Sequence, residues 1–432
     1  MKRWRQWLVV GIAALVSLPG AARAESEVDI LLNKLVEKGT LTGVEAGQIR
    51  REISETKETR NKQLAKEIVP ESARNWSWKG DIRLRNEYRN RTGSGQDINR
   101  QRIRFRYGFE GKINDQLKVG ARLATGSASD PVSTNQTFNT AFNHVNILLD
   151  RAFVTYSPEI PGVTKVSLSG GIIENPFLWV GPLVWDEDLN FQGLAAHVDQ
   201  QIGPVNLFAN NGLFSLESDI SEAATLWSTQ EGVIVQPYKD ADPETPELLK
   251  NFKVTGAIAY HDYKNVTNPV SEQINSSVPT SIISTAGGTK GNSANLQDIN
   301  LVNPTFEIAS QYADVPFSFF SDWVRNTAAT PGMKNGYIFG FKFGKARIPF
   351  DLMKGWEAGY YFERLDPDAT FGAFSDSDFG NGGGTNHRGS VYWLKLAVLK
   401  NSTFGFKYFN TRQVKGAKNN ADIAMMDWVT TF

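Results

Sequence analysis

From Trp76 to the end of the chain, apolar and polar residues take turns almost without interruption. Trp76, Trp78, Ile82, Leu84 and Tyr88 fall on one face of an extended segment, and Lys79, Asp81, Arg83, Arg85 and Glu87 on the other. The next segment sets Ile103, Phe105, Tyr107, Phe109 and Ile113 against Arg102, Arg104, Arg106, Glu110 and Lys112. A turn at Asn114-Asp115 opens a third, with Leu117, Val119, Ala121 and Leu123 opposite Lys118 and Arg122. A period of two predicts strands with one wet and one apolar face. Similar stretches lie near 148–157, 164–173, 191–202, 204–213, 251–263, 304–313, 316–325, 335–345, 355–365, 388–399, 402–411 and 421–432. With a weaker pattern at Gly232–Tyr238 they make 16 strands. Bacterial single-chain barrels have even strand numbers, so 16 is the expectation and 14 the nearest alternative.

A soluble sandwich would pack its apolar faces on each other. Here many strands carry aromatics and aliphatics on one face, as in Tyr337, Phe339, Phe341 and Phe343, or Phe404, Phe406 and Tyr408. That suits a lipid-facing surface with aromatic girdles. Connections alternate as well. Asp115, Pro204, Pro316 and Asn401 mark short turns, while 127–147, 214–230, 265–303 and 366–387 read as long Gly/Ser/Asn/Asp-rich loops. The fold class expected is all-β: a transmembrane antiparallel β-barrel over 76–432. In its closing segment Ala424, Met426, Trp428, Thr430 and Phe432 share a face, and the final aromatic resembles the signal read by barrel-assembly machinery.

The first 75 residues differ. Lys2, Arg3 and Arg5 precede an apolar run from Trp7 to Pro19, and Ala22-Arg23-Ala24 fits a cleavage site, so 1–24 reads as a signal peptide. Residues 25–75 read as a helical periplasmic segment. Val28, Leu31, Leu32, Leu35 and Val36 recur at helical spacing, Gly39 is a stop, and Thr42-Gly-Val-Glu45 has the form of a capping box. This segment is expected to be a spacer or an oligomerisation or peptidoglycan contact (residues 25–70), or else a solvated hairpin.

The chain's 46 basic and 46 acidic residues balance, but four of the basic ones lie in the leader, which leaves 42 against 46. That balance argues against a nucleic-acid partner. Without cysteine there is no disulfide, thiolate metal site or CxxCH haem attachment. The four histidines, 144, 197, 261 and 387, have no metal-ligand spacing, and Asp376-Ser-Asp378-Phe-Gly-Asn381 is only a faint calcium-loop pattern without the closing Glu. Neither a catalytic motif nor a cofactor motif is present, so no enzyme, cofactor or metal is expected.

Charge is the strongest local signal. Lys79 to Arg122 holds 12 basic residues and 5 acidic ones. An arginine facing lipid near the midplane costs about 2–4 kcal/mol. Five of them would cost about as much as a typical domain's whole stability of roughly 5–15 kcal/mol. Arg83, Arg85, Arg102, Arg104 and Arg106 must therefore face the lumen, with Arg122 beside them. They are the expected pore-lining residues, either as an anion-steering wall or as mutually satisfied ion pairs. Asp186, Glu187 and Asp188, flanked by Trp179, Pro182 and Trp185, are the candidate constriction-loop acids, unless that loop lies outside.

With these stretches laid out, the chain resembles a Gram-negative bacterial outer-membrane porin of the putative-porin type. The resemblance rests on Trp78-Lys-Gly-Asp-Ile-Arg-Leu-Arg85, Arg100-Gln-Arg-Ile-Arg-Phe-Arg106, Arg122-Leu-Ala-Thr-Gly126, Leu149-Asp-Arg-Ala-Phe-Val-Thr-Tyr156 and Glu174-Asn-Pro-Phe177 leading to Trp185-Asp-Glu-Asp-Leu-Asn190. It implies a barrel among outer-membrane lipid and lipopolysaccharide, a homotrimer, and passive diffusion of small hydrophilic solutes and ions. The rival reading is an envelope tether whose N-terminal helices bind peptidoglycan or trimerise.

Overall fold

The computed structural model describes residues 27–43, 45–49, 52, 75–93, 96–138, 141–217, 223–239, 242, 244–266, 290–293, 296, 298–416 and 418–432. The signal peptide expected at 1–24, and much of the segment expected at 25–75, lie outside them. The chain divides into two compact units, 1–74 and 75–432.

In the first unit, helix α1 spans Glu27–Glu37. It stops at Gly39, whose φ of 70° suits a residue without Cβ. The Gly39 amide donates to Val36 O and the Thr40 amide to Leu35 O. The expected capping box forms: Thr42 N donates to Glu45 Oε2 at 2.8 Å and Glu45 N donates to Thr42 Oγ1 at 3.2 Å. Helical positions follow through residue 49.

The second unit is one closed antiparallel barrel. Its wall strands are β1 (Trp76–Thr92), β2 (Ile98–Lys112), β3 (Leu117–Thr125), β4 (Ile147–Tyr156), β5 (Lys165–Ile173), β6 (Phe191–Ile202), β7 (Val205–Glu217) and β8 (Ala224–Val235). The rest are β9 (Lys253–Lys264), β10 (Ile299–Tyr312), β11 (Val315–Asn326), β12 (Asn335–Gly344), β13 (Trp356–Leu365), β14 (His387–Leu399), β15 (Ser402–Gln413) and β16 (Asn420–Thr431). A two-residue strand, Gln136–Thr137, pairs with Arg102 and Ile103 above the end of β3 and belongs to a loop. Each wall strand pairs with its neighbours in sequence, and β1 closes on β16 from Asp81↔Thr431 to Thr92↔Asn420. Closure leaves no edge strand, as a lipid-immersed sheet requires.

The expected alternation is present, inverted from that of a soluble protein. Trp78 is 55% exposed and Leu84 49%, whereas Arg85 is 5% and Glu87 0%. Apolar side chains point outward and charged ones inward. Outward rings meet across neighbouring strands, as in Tyr337–Phe362, Phe339–Phe362 and Trp78–Tyr107. Phe432 joins this face beside Tyr107, its N–H and C=O pairing with Gly80. Gly80 makes room for it, since a Cβ there would lie 2.6 Å from the Phe432 ring.

Most turns at the rim that carries β1's start and β16's end are short, the exceptions being 345–355 and 236–252, which holds a helical turn at Glu247–Lys250. At 313–314 both residues have positive φ, and Glu247 accepts their amides at 2.8 and 3.3 Å. After β2, Asn114 Oδ1 accepts the Gln116 and Leu117 amides. The opposite rim carries the long loops, with one correction. The stretch 214–230, read as a loop, is mostly strand: β7 continues to Glu217 and β8 begins at Ala224. Its inward positions run Ala224, Leu226, Ser228, Gln230, apolar then polar, so the period of two is hidden.

The lumen is not uniformly polar. Inward Phe214, Leu226, Tyr263, Leu301, Ile338, Leu365, Val391 and Phe409 form one buried cluster with residues of two loops. The 174–190 loop supplies Phe177, Leu183, Val184, Trp185 and Leu189; the 366–386 loop supplies Phe371, Phe374 and Phe379. Both loops are folded into the barrel against an apolar sector of wall. The arginines of β1 and β2 occupy the other sector.

Candidate constriction site

Register puts like charges opposite each other. Arg83 pairs with Arg104 and Arg85 with Arg102 across β1 and β2, which is unfavourable unless acids intervene. They do. Asp81 lies between two arginines, accepting from Arg104 Nε at 2.9 Å and Arg106 Nε at 2.7 Å. Glu87 faces Arg89 at 3.1 Å, Arg100 at 2.9 Å and Arg102 at 3.5 Å. Arg85 makes a two-pronged pair with Asp427 of β16, at 2.7 and 2.9 Å, and donates its third nitrogen to Asp378 at 2.8 Å. Such planar fork pairing is what arginine does better than lysine. Arg122 pairs with Asp150 of β4. Arg83 differs: Nη2 donates to the Asn135 amide oxygen at 2.7 Å, Nε has no partner, and no carboxylate lies within ion-pair reach among the described residues.

The 174–190 loop is fixed at several points. Gln230 grips Leu178 from both sides, accepting its N–H at 2.7 Å and donating to its C=O at 2.9 Å. The Trp185 ring sits between Phe191 at 5.0 Å and His261 at 5.1 Å. Asp186 N donates to Phe374 O at 2.8 Å, and Asp186 Oδ2 accepts Ser377 N at 2.8 Å, so the two inward loops are tied backbone to backbone. Asp188 accepts from the Thr134 amide and hydroxyl at 3.0 and 2.8 Å and lies 3.4 Å from Arg106. The 366–386 loop is held in turn by Asn292 and by Arg89, which donates to Gly380 O at 2.9 Å.

Between wall and loops lies a polar cleft. Arg83, Arg85, Arg104 and Lys407 line it from the wall, and Asp186, Glu187, Asp188, Asp376 and Asp378 from the loops. Of the six expected arginines, three reach the cleft; Arg106 touches its rim through Asp188, while Arg102 and Arg122 are held by Glu87 and Asp150. Asp376, Asp378 and Lys407 line the cleft as well, though the charge pattern of the sequence does not single them out. The 376–381 stretch, read as a faint calcium loop, spends Asp378 on Arg85, and no group of metal-ligating side chains assembles among the described residues.

The loop acids differ in state. Burial, then the nearby Asp376 and Asp188, push the Asp186 carboxyl well above the usual range. Burial pushes Asp376 up to about 6, against the pull of Lys407. Asp188 and Asp378 are buried too, but Arg104 and Arg83 hold the first below its ordinary value, and Arg85 and Lys407 the second. The cleft thus sets carboxyls that take up protons more readily than usual beside firmly ionised ones. Glu187 is exposed and bonded to nothing among the described residues.

Comparison with known proteins agrees with the architecture. The family described as putative porin matches residues 88–318 and 303–432. No curated protein matches. The high-pH structure of Pseudomonas putida OprB is similar with a TM-score of 0.53 at 13% identity, over 87% of this chain and 96% of that one. Salmonella typhi OmpF in complex with daunomycin is similar with a TM-score of 0.48 at 11% identity, over 83% and 97%. With the family matched over most of its length and the barrel closed at 16 wall strands, the chain belongs to the putative porin family and forms an outer-membrane channel.

Proposed function

We propose that the barrel lets small hydrophilic solutes and ions diffuse passively down their gradients, with a modest preference for anions. A barrel of 16 strands is wide enough to leave an aqueous channel. The preference rests on one observation. Among the described cleft residues, two half-buried cations, Arg83 and Lys407, have no carboxylate within ion-pair reach, against one exposed free carboxylate, Glu187. The paired arginines add little, because their fields are cancelled at contact distance. Homotrimeric assembly, an exported leader and insertion guided by Phe432 belong to the same reading. The outward aromatic face supports it.

Reversal potentials of the purified protein in a planar bilayer, taken across a salt gradient, test this. A screened charge interaction is worth about 0.2–1 kcal/mol, so R83Q or K407Q is expected to lower the anion-to-cation permeability ratio by up to about five-fold. R102Q, at a paired position, should shift it less. Equal shifts from R83Q and R102Q would remove the assignment.

Acidification should strengthen the preference. Asp376 faces Lys407 on β15, Asp378 on its own loop, Asp186 and Glu187 on the 174–190 loop, and Glu363 on β13. With its carboxyl near 6 it is mostly ionised at pH 7.5 and mostly neutral at pH 5. Each proton taken up makes the cleft more positive, so the reversal potential moves toward the anion limit as pH falls through 6. D376N should sit near the acid limit at both pH values. A D376N channel with the wild-type pH response would assign the titration elsewhere.

A further inference from the structure

The free charges in the cleft are of both signs, which bears on the kind of solute it favours; this step rests on the channel reading above. Arg83 keeps its Nε buried and its Nη2 on the Asn135 amide oxygen, which leaves Nη1 to face the cleft. Lys407 stands over the Phe409 ring at 4.7 Å, its head at the same cleft. Glu187 is exposed on the facing loop, while Asp186 and Asp188 on either side of it are consumed by backbone amides, Thr134 and the arginines.

The fold brings these charges close together. Arg83 is the cross-strand partner of Arg104, and Arg104 Nη1 lies 4.0 Å from Asp188 Oδ1. Glu187 is one residue further along the loop. Arg83 and Glu187 accordingly line the same cleft from its two sides. Pro182 at the cleft's edge and the buried Trp185 behind it stiffen the segment that presents Glu187.

We propose that this cleft favours small zwitterions: α-amino acids and short peptides, whose carboxylate docks on Arg83 while their ammonium group faces Glu187. A guanidinium N–H gives a carboxylate a charge-assisted hydrogen bond, about twice as strong as a neutral one. Glu187 offers the ammonium a counter-charge that a simple anion cannot use. A solute carrying both groups is drawn from both sides without either charge being stranded, and bridging water spans any remaining gap.

Tracer entry into proteoliposomes at matched ionic strength tests this, with labelled alanine, lactate and glycerol as probes. Lactate differs from alanine in having a hydroxyl in place of the ammonium; glycerol reports open, folded channels of either variant. Normalised to glycerol, alanine is expected to enter at least three-fold faster than lactate. E187Q should bring that ratio close to one, mainly by slowing alanine, and R83Q should slow alanine and lactate together. An alanine-to-lactate ratio unchanged by E187Q, or no alanine advantage in the wild type, overturns the proposal while leaving the channel intact. Failure of glycerol itself to enter would instead overturn the channel reading.

Discussion

Replacing Glu87 with alanine is expected to destabilise the barrel by about 3–5 kcal/mol, the usual cost of removing one partner from a buried ion pair. Glu87 is fully buried and is the one carboxylate that Arg89, Arg100 and Arg102 share. Arg89 is itself 3% exposed, and its remaining bond is to Gly380 O. Arg102 keeps only neutral oxygens, Ser133 Oγ at 3.3 Å and Asn135 O at 3.5 Å. Without Glu87, three like charges stand on adjacent strands with nothing between them. Glu87→Gln should cost less, because an amide oxygen still accepts while the charge is gone. Urea titration of folding into lipid vesicles gives the comparison. An E87A midpoint within error of the wild type would mean that lumenal water screens these arginines and that Glu87 holds nothing together.

The same cluster shows what the sequence can reveal. Alternation in Trp76–Thr92 and Ile98–Lys112 assigns each arginine to the lumen, because a lipid-facing position is too costly. It says nothing of neighbours across the barrel. Arg85 and Asp427 are 342 positions apart and meet only because β1 closes on β16. Asp150 reaches Arg122 only because β3 pairs with β4. The excess of basic residues from Lys79 to Arg122 is therefore real in sequence and largely neutralised in space.

The course of the loops is masked in the sequence for a related reason. Glycines and acids in 366–386 look like a solvated loop, yet Phe371 and Phe379 are fully buried and draw it into the barrel. Their apolar counterparts, such as Leu301, Ile338 and Val391, sit at inward positions where a wet lumen alone would favour polar residues. Those inward apolar residues are the local sign that something covers them. In β8 the same effect hid a strand.

Trp185→Ala should free the 174–190 loop, and this is the largest functional effect expected of a single change. The indole is 3% exposed and touches rings from three directions: Phe191 on β6, His261 on β9 and Phe374 on the second inward loop. Deleting a buried Trp side chain typically costs about 3–5 kcal/mol. What remains are hydrogen bonds worth about 0.5–1.5 kcal/mol each, set against the entropy of an ordered 17-residue connection (residues 174–190). Wall strands keep their ladders, so the loss falls on the loop and not on the barrel. Hydrogen exchange should then quicken by about a hundred-fold or more at Leu178 and Asp186, whose amides bond to Gln230 and Phe374, while β1 and β2 keep wild-type protection. Single-channel conductance should rise about two-fold, with added current noise as the loop leaves the lumen. Trp185→Phe, which keeps a ring against His261 and Phe191, should restore much of both. Wild-type conductance and exchange in W185A would show that Gln230, Asp186 and the neighbouring loop hold the constriction without the indole.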